Sequence, residues 1–204
     1  MALLLSVLEQ GMIYGILALG VYITYKILDF PDLTVDGSFP FGAAITVRLI
    51  NGFGVPAILT LPIAFLGGAL VGICTGLIHV KLKVRDLLSG IIMMTGLYTI
   101  NLWVAGSGYV AIFDKENIFN NSFVNSITPG FLVNFKNVII IFLITMVAKY
   151  LLDWYMSTKS GFLLRAVGDN DTIVTSLGVD KGLVKIVGLS IANGLVSLSG
   201  CIYA

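Results

Sequence analysis

The 204 residues are 57% apolar and only 11% charged, with 23 glycines and a net charge of +1. Globular chains carry about a quarter charged residues, so this composition excludes a soluble enzyme and a disordered tail. The near-zero net charge gives no electrostatic reason to expect a nucleic-acid partner.

With a mean hydropathy of +1.00, the chain reads as all-α, a polytopic membrane protein of about five to six transmembrane helices. A helix needs about 20 apolar residues to cross the hydrocarbon core. Residues 2–25 reach that length with Glu9 as the only charge. They lack a basic n-region and a small-x-small cleavage site, which makes them an uncleaved first helix rather than a signal peptide.

A broken or re-entrant segment follows near 29–50. Asp29, Asp32 and Asp36, with Pro31, Pro40, Gly37 and Gly42, stand directly between apolar stretches. Backbone groups freed by proline and glycine are tolerated at membrane depth only against protein or a water-filled cavity, and ionisable groups there mark functional sites. The alternative is a solvated acidic turn at the interface. Residues 38–50 are either a short span or one half of a broken helix. If they cross fully, parity places the N-terminus outside; if they are re-entrant, it places it inside.

Spans at 55–78 and 87–106 carry no charge, and spans at 138–156 and 183–204 follow. The connection 79–86 holds Lys81, Lys83 and Arg85, and the loop after Ser157 holds Lys159, Arg165, Lys181 and Lys185. Basic short loops stay cytoplasmic, so both belong on that side. The loop 107–137, where Lys115 and Lys136 are offset by Asp114 and Glu116, is then external, with turns at Asn120-Asn121 and Pro129-Gly130. Trp103, Tyr109 and Phe113, and at the other interface Trp154 and Tyr155, read as aromatic anchors.

Gly68, Gly72 and Gly76 recur every four residues, and Gly11 and Gly15, or Ser190 and Gly194, repeat this more weakly. Glycines at that spacing let a second helix approach closely, either within the chain or from another subunit. Asn101, Thr95 and Tyr98 either bond between helices or line a path. His79 is an interfacial side chain. Within 157–182, Asn170 caps a short helix and Gly178 supplies its left-handed stop. So short a helix needs a docking surface, on a cytoplasmic partner, the membrane or the chain's own loops. There is no phosphate-binding loop, no nucleophile–base pair, and no metal or disulfide spacing around Cys74 and Cys201. The chain is therefore expected to be no enzyme itself and to hold no cofactor.

Two segments carry a family resemblance. Gly161-Phe-Leu-Leu-Arg-Ala-Val-Gly-Asp-Asn170, then Leu177-Gly-Val-Asp180 and Lys185, resembles the cytoplasmic loop of branched-chain amino acid and ribose-type permeases of ABC importers. Gly15-Ile-Leu-Ala-Leu-Gly20 and the break Leu33-Thr-Val-Asp-Gly-Ser38 resemble that family's first helix and polar break. The form of the break is closest to an uncharacterised, amino-acid-linked subgroup. The resemblance spans essentially the whole chain.

It implies a single transmembrane permease domain, 1–204, in a bacterial inner membrane, importing a small polar solute such as an amino acid. Its implied partners are a cytoplasmic ATP-binding subunit that hydrolyses the ATP, an extracellular solute-binding protein and a second permease copy. Arg165, Ala166, Gly168, Asn170 and Gly178 would form the ATPase-coupling element, a helix around 165–178. Thr34, Asp36 and Ser38 would lie near the solute pathway. The family has alanines where this loop has Thr172-Ile-Val-Thr175, and its members continue beyond this point, which implies a chain truncated at its C-terminus. Two rival readings are an ion-coupled secondary transporter using Asp29, Asp32 and Asp36, and a non-transporting truncated fragment.

Overall fold

The computed structural model describes residues 2–106, 135–176 and 178–204. Every regular element among them is helical: α1 (Ala2–Tyr22) continuing into a π-turn (Ile23–Ile27), α2 (Val35–Phe53), α3 (Ala57–Lys81), α4 (Asp86–Ala105), α5 (Lys136–Met156), α6 (Lys159–Asp169), α7 (Asp171–Ser176) and α8 (Lys181–Tyr203). Among the described residues five stretches are long and apolar enough to cross a membrane: Leu3–Ile27, Ala57–Lys81, Asp86–Ala105, Lys136–Met156 and Lys181–Tyr203. These are the five spans read from hydropathy. The turns expected in the 107–137 loop, and the anchors Tyr109 and Phe113, lie outside the described residues.

The helix ends follow from local chemistry. Gly54 and Gly106 take left-handed conformations after α2 and α4, where their N–H groups bond back to Leu49 and Leu102. That is the glycine C-terminal stop. Thr158 caps α6 by accepting from the Gly161 N–H, and Asp180 caps α8 through the Gly182 N–H.

α8 is the axis of the bundle. Gly68, Gly72 and Gly76 of α3 face Asn193 and Ser197, Leu189, and Ile186 in turn, so the two helices run antiparallel along one seam. A methyl group on Gly68 or Gly72 would overlap α8 backbone. Ser38 meets Asn193 and Gly42 meets Ser197, which sets α2 parallel to α8. On α1, Gly20 lies against Ala192 and Ile13 against Ser199, again antiparallel.

These registers settle how the broken segment runs. Leu28 and Leu164 converge on Gly188 near the start of α8, at the end of the bundle that bears the basic connections. Asn193 is the thirteenth residue of the 23-residue α8, so α2 begins near mid-depth and rises about 28 Å toward the opposite end. The stretch between them climbs from the basic end to the centre without a helix. Residues 28–53 therefore complete one crossing and are not re-entrant, and the N-terminus lies at the end opposite the basic connections. Pro40 does not break α2. It lies in the helix's second turn, where only the Asp36 carbonyl loses a donor.

The stretch 165–178, expected from the resemblance as one coupling helix, is not a single helix. Asn170 takes an extended conformation and divides it, leaving Arg165, Ala166 and Gly168 on α6 and only the six residues of α7 before the stop at Gly178.

Candidate functional site

The polar break Leu28–Thr34 ends in a buried hydrogen-bond network at the centre of the bundle. Asp32 is 2% exposed, the one buried charged side chain among the described residues. One carboxylate oxygen accepts the Thr34 N–H at 2.8 Å, an Asx-type turn that starts α2. The other accepts Asn193 Nδ2–H at 2.8 Å. Asn193 also donates to the Leu189 carbonyl at 3.1 Å and receives the Ser38 hydroxyl on Oδ1 at 2.6 Å. The Thr34 and Thr75 hydroxyls share a hydrogen bond of 3.1 Å, and Thr75 donates to the Val71 carbonyl. Ser197 donates to the Ala64 carbonyl at 2.7 Å. A buried polar group is costly unless partnered; here every side chain has a partner, and together they tie α2, α3 and α8.

The three aspartates do not form one site. Asp29 is exposed at a positive φ of 50°, Asp32 is sealed in the network, and Asp36 is exposed on the outer side of α2. Thr34 and Ser38 are fully buried, so of the three residues placed near the pathway by resemblance only Asp36 reaches the surface. Beside it, Asn101 of α4 donates to the Gly37 carbonyl at 3.1 Å, and its Oδ1 is enclosed without a partner among the described residues. Thr95 bonds its own helix and Tyr98 is exposed.

A second constellation occupies the basic end. Arg165 and Asn170 are exposed, and Ala166 and Gly168 are half-buried. Gly168 meets the Ile27 carbonyl so closely that a methyl group would overlap it. Asn170 closes α6 through its N–H to Ala166, and its Oδ1 accepts the N–H and hydroxyl of Thr172. Gly178 adopts a φ of 74° and bonds back to Thr175. Val174 of α7 joins Leu164, Val167, Leu28 and Leu189 in one apolar cluster. Nearby, His79 bonds the Val84 carbonyl at 2.9 Å and meets the ring of Phe30 edge to face at 5.0 Å. It is a staple of the α3–α4 turn.

Sequence reasoning missed Asn193, whose role shows only once α2 and α8 are placed side by side. The available signal was an amide inside a charge-free stretch of a membrane helix. Among the described residues no group of His, Cys, Asp and Glu side chains could hold a metal ion.

The family described as branched-chain amino acid transport system / permease component matches residues 3–204. The chain is 42% identical over 202 residues to the tyrosine transport system permease protein of Clostridioides difficile, covering 98% of this chain and 64% of that one. It is 30% identical to an uncharacterized protein of Rickettsia prowazekii, covering 100% of this chain and 68% of that protein. It is 26% identical to the ribose import permease protein RbsC of Haemophilus influenzae, over 98% of this chain and 59% of that one. The chain thus spans less than two thirds of the length of the tyrosine and ribose permeases. No solved structure matches it significantly. From the family match along nearly its whole length, this multi-pass membrane chain belongs to the branched-chain amino acid transport permease family, whose members are transport components and not enzymes.

Proposed function

We propose that this chain is the transmembrane permease subunit of an ATP-binding-cassette uptake system that imports a small polar organic solute, an amino acid, across a bacterial cytoplasmic membrane. The observation that carries the reading, beyond family membership, is the helix pair α6–α7. It lies at the basic end of the bundle, presents Arg165 and Asn170 outward, and packs inward on the start of the polar break. A short helix that is amphipathic and rigidly seated is the shape needed to pass a partner's movement to the spans as a rigid-body displacement. The similarity to a tyrosine permease supports an amino acid over a sugar.

In this reading a cytoplasmic subunit binds and hydrolyses the ATP and grips α6 and α7. Arg165 and Asn170 touch it, while Ala166, Gly168 and Gly178 fix the shape they are presented on. Nucleotide-driven closure of that partner favours one access state of the pathway, and hydrolysis releases it. Asp36 faces the pathway, and Thr34 and Ser38 anchor the wall behind it. A second permease copy completes the pathway, and an extracellular binding protein delivers the solute.

The test is co-purification with the products of neighbouring genes in mild detergent. An ATPase subunit should remain bound and be lost when 165–178 is replaced by a flexible linker. A well-folded chain that retains no ATPase subunit would refute the reading.

A further inference from the structure

We propose that Leu28–Thr34 is a transmission link between the cytoplasmic helix pair and the centre of the membrane, and that Asp32 is the positioning residue fastening its upper end. The functional half of this rests on the transport reading above; the mechanical half stands on the packing alone.

The lower end of the link is seated on α6. Gly168 admits the Ile27 carbonyl where any side chain would collide with it. Leu28 shares a packed cluster with Leu164 and Val167 of α6 and Val174 of α7. A tilt of α6 must therefore move Ile27 and Leu28. Between these and α2 the chain has no helical ladder to absorb the displacement. Its backbone bonds there are Leu28 N–H to the Ile23 carbonyl and Phe30 N–H to the Thr24 carbonyl, both at 2.9 Å, which hold it to the end of α1. Asp29 stands at a positive φ, where the chain turns from that anchor into the membrane interior.

At the upper end the displacement arrives at Asp32. Its two oxygens face two donors on two elements: the Thr34 N–H, which opens α2, and Asn193 Nδ2 on α8. The opposite side of the same amide, Asn193 Oδ1, takes the Ser38 hydroxyl, one turn into α2. The polarity is fixed along this chain of bonds. Position 32 must present acceptors alone, because the Thr34 N–H is a fixed donor and the Asn193 amide is held with its donors toward position 32 by its bond to the Leu189 carbonyl. An amide at 32 would set donor against donor. This accounts for a carboxylate sealed at mid-depth, and it makes the movement of the link common to α2 and α8.

The experiment is amide hydrogen exchange of residues 33–39 in the full chain, in micelles or nanodiscs. Asp32→Asn should speed exchange there about tenfold, the scale of losing a hydrogen bond to a charged acceptor. The double variant Asp32→Asn with Asn193→Asp reverses the polarity of the pair, keeps the Thr34 and Ser38 partners and gives up only the bond to the Leu189 carbonyl, and should return to within about threefold of the parent. Gly168→Ala, on the cytoplasmic helix, should speed exchange at 33–39 about threefold. A double variant as fast as Asp32→Asn, or a Gly168→Ala effect confined to 159–169, would overturn the link. With a bound ATPase subunit, Asp32→Asn should leave binding intact, abolish solute-stimulated hydrolysis, and be rescued by the double variant; persistence of stimulation overturns the positioning role. The exchange pattern in a chain that binds no ATPase subunit would support the link while removing the transport reading.

Discussion

α8 and α5 are both membrane-crossing helices of similar length and hydropathy, yet 67% of the most apolar stretch of α8 is buried within the chain against 17% of that of α5. The difference lies in side-chain size. α8 turns Gly188, Ala192, Asn193, Gly194, Ser197 and Gly200 toward its neighbours, while α5 has no glycine or serine and is dominated by large side chains, chiefly Ile, Leu, Val, Phe, Tyr and Trp. Between helices in lipid there is no hydrophobic drive, because the tails are as apolar as leucine. Small residues bring backbones together and serine or asparagine bonds across the gap, so they make an axis; large residues are as well served by lipid. Apolar bulk, which builds the core of a soluble protein, here marks the outside.

The comparison is broken most severely at the far end of α8. A side chain on Gly200 would overlap the Phe39 carbonyl of α2. Gly200→Val must therefore force α2 and α8 apart, at a cost of about 3 kcal/mol, and open the seam that places the central network. We expect a chain that still inserts but loses protease resistance in detergent at temperatures where the parent is intact. A parent-like digestion pattern would mean that the α2–α8 contact is not what holds the bundle.

Much of this architecture is legible in the residues. Five spans, the shared end of the basic loops, the glycine seam at 68, 72 and 76, and the stop at Gly178 each rest on short-range chemistry that sequence displays. What is not legible depends on register between distant segments. Ser38 and Asn193 are adjacent only because α2 starts at mid-depth, and nothing local to 29–50 says whether that stretch turns back or crosses. The short helix that Asn170 caps and Gly178 stops was legible as well; what the pattern did not show is that Asn170 also ends the helix before it, so that 165–178 is two helices and not one.

A smaller effect is expected at the entrance to α8. Gly178→Val places a β-branched residue at φ 74°, a conformation that costs about 1–3 kcal/mol for such a side chain. The position is exposed, with open space around it, so the strain is local. It should distort the exit from α7 while α8 keeps its seam. Membrane insertion should match that of the parent and the thermal midpoint should fall by only a few degrees, while solute-stimulated ATPase activity in the assembled complex is lost. Full stimulation would show that the geometry of this stop does not matter to coupling.

The smallest effect belongs to α5, and it tests the comparison most directly. Leu143 is 57% exposed on a groove of about 720 Å³ between α3, α5 and α8, lined by Leu61, Phe65, Leu195 and other apolar side chains. Two residues earlier on the same helix, Ile141 is 1% exposed and packs with Ile13, Ile16 and Ile202. If bulk on α5 serves mainly to meet lipid, Leu143→Ala should change unfolding free energy by less than about 0.5 kcal/mol, since an acyl chain fills what the side chain leaves. Reversible unfolding in mixed micelles would measure it. A loss near 2 kcal/mol or more, the range of a buried leucine leaving a cavity, would show that the groove is packed against protein in the folded assembly. It would also place α5 beside α8 as a second axis, which its side chains give no reason to expect.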